Sequence, residues 1–276
     1  DDQRRCTREV VQGGTMEFTY SYTDSSNAAG PNSWKRKTVE TRPDGSQYTV
    51  FTNAAGLPML ADLGDGSSHW ISFTKYDAEN RVIMEASPSA VTGYSEAAAD
   101  LLEFNSGTGK YTYLRDDEGL IRLYSVHTPS GYTSSERIQQ GQLGAEIKLR
   151  DYAYAACPES GYDNVYVMSQ QTAYPSDSNQ TETIVTSYAY TWYSGTSQIQ
   201  QWTTTLPVIP VSQNGSGVAN TRKIYYDSNG YATWTMNERG YITRTKYDIP
   251  TGAVTQLIRD VDTSVETDHP TGWTTP

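Results

Sequence analysis

Cysteine, histidine, positive charge and long apolar runs are all scarce in this sequence, and each scarcity narrows the range of functions. Its two cysteines, Cys6 and Cys157, form no Cys-x-x-Cys pair and no metal-spaced set, so neither a disulfide framework nor a zinc module is encoded. One long-range disulfide between them, in an oxidising compartment, and two independent thiols both remain open. The three histidines, His69, His127 and His269, lack zinc-type spacing and any Ser or Cys partner motif, and are expected at solvent-facing or strand-edge positions. Signatures such as GxSxG, HExxH, the P-loop and GxGxxG are missing. The reading therefore assigns no catalytic residue, no metal and no cofactor, and does not expect an enzyme.

No apolar run approaches the roughly 20 residues that cross a bilayer, so no membrane-spanning helix is expected. Against 32 acidic side chains stand 21 basic ones, a net charge of -11. That balance argues against nucleic acid, whose nonspecific binding rests on Lys and Arg, and against an anionic membrane surface. Only 36% of the 276 residues are apolar and the mean hydropathy is -0.65. The N-terminus, DDQRRCTREVVQGG, has neither an initiating Met nor the apolar stretch of a signal peptide, and the C-terminus, DHPTGWTTP, stops in turn-rich sequence. A processed chain, or a window of a longer one, is the expectation.

What the sequence has in quantity is Tyr, 22 residues against 4 Phe, together with Thr and a recurring turn. Amphipathic rings of this kind suit thin or layered β architecture rather than a thick oily core. The turn reads Asp or Asn, two residues, then Gly or Asn: Asn53 to Gly56, Asp77 to Asn80, Asp116 to Gly119, Asp227 to Gly230 and Asn237 to Gly240, with a version one residue longer from Asp248 to Gly252. The leading side chain can accept backbone amides two residues on, and the last position must tolerate a positive φ, for which Asn80 is the next-best residue after Gly.

Between turns the segments read as strands of about five to eight residues. In YITRTKY, Tyr241, Thr243, Thr245 and Tyr247 share one face, while Arg244 and Lys246 take the other. In RVIMEA, Val82, Met84 and Ala86 oppose Arg81 and Glu85, but Ile83 breaks the parity. The Tyr-Asp pairs at Tyr226 and Tyr247 are 21 residues apart, the length of two strands and two turns, and self-similarity of about 20 residues marks a repeat architecture. The expected fold is all-β: successive antiparallel β-hairpins in a continuous twisted sheet, with one short helix near 95–104, where Ser95 is a plausible N-cap. The regions expected are an N-terminal edge segment (1–40), hairpins with the helix (41–130), an irregular β and loop insertion (131–183), and hairpins with a C-terminal tail (184–276).

YYDSNGYATWTMNERGYITRTKYDIPTGAV resembles the YD repeats of the bacterial RHS family, whose units run Tyr-Asp, two residues, Gly, a strand, Asp-x-x-Gly, a strand, and again Tyr-Asp. FTKYDAENRVIMEASPSAVTGY and TRPDGSQYTVFTNAAGLPMLADL are similar more loosely, so the resemblance covers about residues 41–126 and 184–260. It implies a coiled hairpin sheet, an open shell or solenoid-like wall, and a scaffold role in a large secreted or cell-surface protein, and it supplies no catalytic residues. Tyr76, Tyr226 and Tyr247 take the Tyr positions. The chain lacks the Asp-Pro-x-Gly ending that precedes self-cleavage in that family, and 276 residues are too few to wind a closed shell of the usual family size.

Several constellations have a bland reading and a functional one. Asp62 and Asp65, beside Gly66 and Ser67, can offer oxygens to calcium but lack a full loop of alternating acids, so a polar hairpin turn is favoured. Asp116, Asp117 and Glu118 read as a solvated turn led by Asp116. Trp34, Trp70, Trp192, Trp202, Trp234 and Trp273 are candidates for a sugar platform, with packing the commoner role. Asn179 and Asn214 match the N-glycosylation pattern in expected loops. The partners expected are the rest of a long chain or copies of itself, with a glycan as a further option. An extracellular filament joined at sheet edges and a carbohydrate-binding surface are the alternative functions, and the location is extracellular or cell-surface.

Overall fold

The structure, a computed structural model, describes all 276 residues, Asp1–Pro276. It is all-β, with strands connected as antiparallel hairpins, the class the sequence predicts. The chain divides into two compact units: Asp1–Val126 with Ser135–Leu149, and His127–Ser134 with Arg150–Pro276.

The first unit contains β1 (Arg8–Val11), β2 (Met16–Asp24), β3 (Trp34–Thr41), β4 (Gln47–Asn53), β5 (Pro58–Gly64), β6 (His69–Tyr76) and β7 (Val82–Ala86). After these come the short pair β8 (Phe104–Asn105) and β9 (Lys110–Tyr111), then β10 (Leu120–Val126). Each of β1 to β6 pairs antiparallel with the next strand, and β7 pairs with β10. The register aligns Phe51, Leu60, Phe73, Ala86 and Ile121 in one row across β4, β5, β6, β7 and β10. All five are nearly inaccessible to water. Burying one such Leu or Phe side chain stabilises a fold by about 1.5–3 kcal/mol. The segment 87–119 covers this row with Ala90, Val91, Leu101, Leu102 and Leu114.

The helix expected near 95–104 does not form. Residues 95–102 instead make consecutive three-residue turns, with Ala98 N–H donating to Ser95 O at 3.2 Å and Leu101 N–H to Ala98 O at 3.1 Å. Leu101 (φ 65°) and Glu103 (φ 55°) are left-handed, and the Asp100 carboxylate accepts the amides of Glu103 and Phe104. Leu101 and Leu102, adjacent in sequence, are both fully buried. Burial of the two leucines outweighs a left-handed residue's strain of about 1–3 kcal/mol, so tertiary packing overrides helix propensity here.

β11 (Thr133–Gln140) lies mostly in the first unit and β12 (Ile147–Ala156) mostly in the second, which continues with β13 (Tyr166–Ala173), β14 (Ile184–Trp192), β15 (Ile199–Thr205), β16 (Thr221–Tyr226), β17 (Ala232–Met236), β18 (Ile242–Tyr247) and β19 (Val254–Arg259). From β12 onward each strand pairs antiparallel with its successor. One face carries the row Gln201, Tyr225, Trp234, Arg244 and Ile258. The tail after β19 covers it: Val261 and Trp273 are buried against Trp234 and Ile242, and Glu266 and Asp268 bond the Arg244 guanidinium. In YITRTKY, therefore, the covered face is the one bearing charge. Arg244 is tolerated there because it is paired and lies 4.9 Å over the Trp234 ring.

Candidate functional site

The recurring turn has one geometry wherever it closes a hairpin. At Asp227 the carboxylate Oδ1 accepts the amides of Asn229 and Tyr231, both at 2.9 Å. Its carbonyl accepts Gly230 N–H at 3.0 Å, and its own amide donates to Tyr231 O at 2.9 Å. Asn53, Asp77 and Asn237 repeat the same bonds to the amides two and four residues on. The closing residue is left-handed each time: Gly56 (φ 80°), Asn80 (φ 63°), Gly230 (φ 86°) and Gly240 (φ 86°). Asn80 does more than tolerate that conformation, since its side-chain oxygen accepts Asn53 Nδ2 at 3.3 Å. Replacing Asp227 by Ala removes two amide bonds and is expected to cost about 1–2 kcal/mol, while Asn keeps the acceptor and most of the stability; thermal melts of the two variants check this.

The Asp248 turn is one residue longer, with Gly252 N–H donating to Asp248 O and Thr251 Oγ1 to the Asp248 carboxylate. His127 heads the same loop in another chemistry: Gly131 N–H donates to His127 O at 2.8 Å, and Ser130 Oγ bonds His127 Nδ1 at 2.8 Å. The shared sequence signal is x-x-Pro-Ser/Thr-Gly, as HTPSG and DIPTG.

The hairpins led by Asn53, Asp77, Asp227 and Asp248 carry a bulge beside the turn. In β7, Lys75 faces Met84 and Tyr76 faces Val82, so Ile83 is the extra residue, which is why the alternation breaks there. Tyrosines bridge these hairpins. Tyr76 donates its hydroxyl to Pro58 O at 2.6 Å, and Tyr247 to Ala232 O at 3.2 Å; each acceptor lies two residues after the Gly of the turn that opens the strand before. Tyr154 does the same to Thr133 O at 2.6 Å, two residues after Gly131. The Tyr of one Tyr-Asp pair thus fastens its strand to the opening of the hairpin before it, while Tyr226 contributes its carbonyl, which accepts the Tyr193 hydroxyl at 2.7 Å.

Other candidates are placed differently. Asp116 heads no hairpin: its carboxylate accepts Lys110 Nζ at 2.8 Å and Gln142 Nε2 at 3.0 Å in the loop between β9 and β10. Gly119 (φ 81°) closes against backbone, because a Cβ there would lie 2.3 Å from Ser89 and Ala90 main-chain atoms. The disulfide option is corrected: both thiols are free, Cys6 exposed with Sγ 3.4 Å from Arg8 O, and Cys157 buried with Sγ 3.9 Å from Thr196 O. Trp34, Trp234 and Trp273 are buried, Trp70 is exposed, and Trp192 and Trp202 are half-buried. Asn179 lies exposed in a loop, its side chain accepting the Thr181 hydroxyl at 2.6 Å, and Asn214 is left-handed (φ 60°) at the end of a short 3-10 turn.

Sequence reasoning missed one polar cluster. Asp62, expected in a polar hairpin turn, is buried, and its two oxygens lie 3.0 and 2.9 Å from His69 Nδ1. Gly64 faces His69 across β5 and β6, and a Cβ there would sit 3.1 Å from the imidazole; a bare glycine lets the ring lie over β5 and reach Asp62. Burial, followed by the negative charge of Asp62, pushes the Tyr94 phenol up to about 12, so it stays protonated beside that carboxylate. These groups border a cavity of about 440 Å³ with Lys37, Gln47 and Thr49. They make a hydrogen-bonding cluster; no three of the chain's His, Cys, Asp and Glu side chains gather where they can hold a metal ion. Asp65, in the turn beside it, accepts the amides of Ser67 and Ser68.

The turn acids tie the hairpins to pH. The amides of Ser68 and Ser67 hold the Asp65 carboxyl below its ordinary value. At Asp77 burial pushes upward, but the Arg81 amide and guanidinium and the Glu79 amide outweigh it, with the same net direction. A folded value below the unfolded one, about 3.9, gives stability that is present above that pH and lost as pH falls through the folded value. The protection of amides in these turns, corrected for the intrinsic pH dependence of exchange, is expected to fall between about pH 4 and pH 2 and to be steady from pH 5 to 7.

No protein-family model matches the chain, and no curated protein sequence matches it. Solved structures are similar to it at low identity. The Photorhabdus luminescens Tc holotoxin pore with a mutated TccC3 aligns with a TM-score of 0.34 and 14% identity, covering 92% of this chain and 14% of that one. The TcdB2-TccC3 crystal structure aligns at 0.35 and 13%, covering 89% and 15%, and TcdB2-TccC3-TEV at 0.35 and 14%, covering 89% and 14%. The chain spans about one seventh of the length of each of these structures' chains.

Proposed function

We propose that this chain is a structural segment of YD-repeat type, a stretch of wall or spacer in a larger secreted or cell-surface protein, whose partners are more of the same chain or copies of itself. The observation that carries this reading is the tyrosine hydroxyl bond from one strand to the start of the strand before it, repeated at Tyr76, Tyr154 and Tyr247. Such a bond is a rule for adding the next hairpin, and at Tyr76 and Tyr247 it gives the Tyr of the Tyr-Asp pair an architectural part.

An association of copies at a strand margin is favoured by β19, which registers with β18 and leaves Val254 (58%) and Leu257 (51%) exposed. A margin with unpaired amides, exposed aliphatic side chains and a single charge, Arg259, is a template for another strand. Sedimentation of the purified chain and thermal melts of its tyrosine variants test the two halves. Self-association at micromolar concentration, abolished by Val254→Lys with Leu257→Lys, is the expected result. A chain that stays monomeric at every concentration removes the association, and Tyr76→Phe and Tyr247→Phe melting like the parent chain remove the hairpin rule; each substitution is otherwise expected to cost about 1 kcal/mol.

A further inference from the structure

The longest uncharged stretch of this chain is residues 183–221, which hold no Asp, Glu, Lys, Arg or His in a protein that is 19% charged. Within it the loop after β15, Leu206 to Asn220, exposes Val208 (53%), Ile209 (55%), Val211 (73%) and Val218 (66%), beside Ile184 (46%) at the start of β14. The loop is held in shape by its own backbone. Leu206 N–H donates to Asn220 O at 2.8 Å across its neck, Gly215 N–H to Pro210 O at 3.0 Å, and Gly217 N–H to Ile209 O at 3.0 Å. The closure is tight at Gly215, where a Cβ would lie 2.0 Å from Ile209 O. Compact loops packed on themselves in this way are frequently functional.

The loop borders a half-open cavity of about 590 Å³ whose walls include Ile184, Leu206, Val208, Ile209 and Val218, with Gln213, Ser216 and Asn220 as the polar side chains of its lining. That volume falls in the range of small-molecule sites, about 300–1,000 Å³, which are mainly apolar with a few placed polar groups. The surrounding charge settles the kind of occupant. A charged ligand would lose its hydration among aliphatic side chains with no counter-ion in the stretch, a cost of several kcal/mol, whereas a hydrocarbon or aromatic molecule loses only apolar surface to the walls.

We infer that the loop between β15 and β16 is a preformed binding site for an uncharged apolar small molecule, seated against Ile184, Val208 and Val218, with the Gln213 amide meeting at most one polar group. The site is independent of the scaffold reading, since it uses none of the repeat turns.

Titration of the whole chain with the neutral dye N-phenyl-1-naphthylamine, followed by its fluorescence, tests the site. A saturable rise is expected, weakened at least tenfold by Val208→Asp and unchanged by Val265→Asp, which charges a similarly exposed valine outside the loop (73%). Where Val208→Asp melts abnormally, the nearly isosteric Val208→Thr replaces it and is expected to weaken binding by a smaller factor. No saturable signal, or equal binding by the parent chain and the folded Val208 variant, overturns the assignment.

Discussion

Gly119→Ala should be among the most damaging single substitutions in the first unit, while the same change at Gly230 should be mild. Both glycines are left-handed, at φ 81° and 86°, and the sequence reading treats them as equivalent turn closers. Strain alone costs an alanine about 1–2 kcal/mol. At Gly230 nothing lies within 4 Å of the added Cβ, so strain is the whole effect. At Gly119 that carbon would meet Ser89 and Ala90 backbone at 2.3 Å, and the main chain cannot rotate away as a side-chain tip could. The segment covering the Phe51–Ile121 row would have to lift, adding an overpacking term of about 1–3 kcal/mol. Thermal melts should place Gly119→Ala about 3 kcal/mol or more below the parent and Gly230→Ala within about 2; equal losses would mean the two turns are alike after all.

Trp273→Ala should release the C-terminal tail from the second unit. Trp273 is 1% exposed, packs with Trp234, Ile242 and Val261, and donates its indole N–H to Gln201 Oε1 at 3.0 Å. Truncating a buried Trp costs about 3–5 kcal/mol. Amide exchange should rise in β17 and β18, which the tail covers, and the carboxylates of Glu266 and Asp268 should leave Arg244. The milder pair Trp273→Phe and Trp202→Phe sharpens the test. Trp202 Nε1 is buried without a partner, so removing it also removes an unsatisfied donor and should cost little; at position 273 the same change loses a made bond. If both Phe variants melt alike, the indole bond to Gln201 contributes nothing.

The repeat turns were legible in the sequence because their bonds are local: Asp227 reaches amides two and four residues away, and the left-handed position is written as Gly or Asn. Strand alternation was legible for the same reason, and even its failure at Ile83 pointed to the bulge that β6 and β7 form. The tyrosines were visible as a pattern without a mechanism, since Tyr76 finds its acceptor 18 residues back in a neighbouring strand. Asp116 to Gly119 matches the turn motif letter for letter and still makes no hairpin turn, because Lys110 and Gln142 claim the Asp116 carboxylate. Ser95 to Glu103 has helix-forming composition and no helix, because two adjacent leucines both enter the core.

The sequence by itself determined the all-β class, the hairpin spacing and the turn chemistry, all of which are settled within a few residues by side-chain hydrogen bonds and allowed φ. Only the tertiary structure decided which sheet face is covered, which glycine packs against backbone, that Asp62 and His69 meet over Gly64, and that an uncharged loop borders a cavity. These depend on residues far apart in the chain being brought within van der Waals or hydrogen-bond distance, and periodicity along one strand carries no information about what packs on top of it.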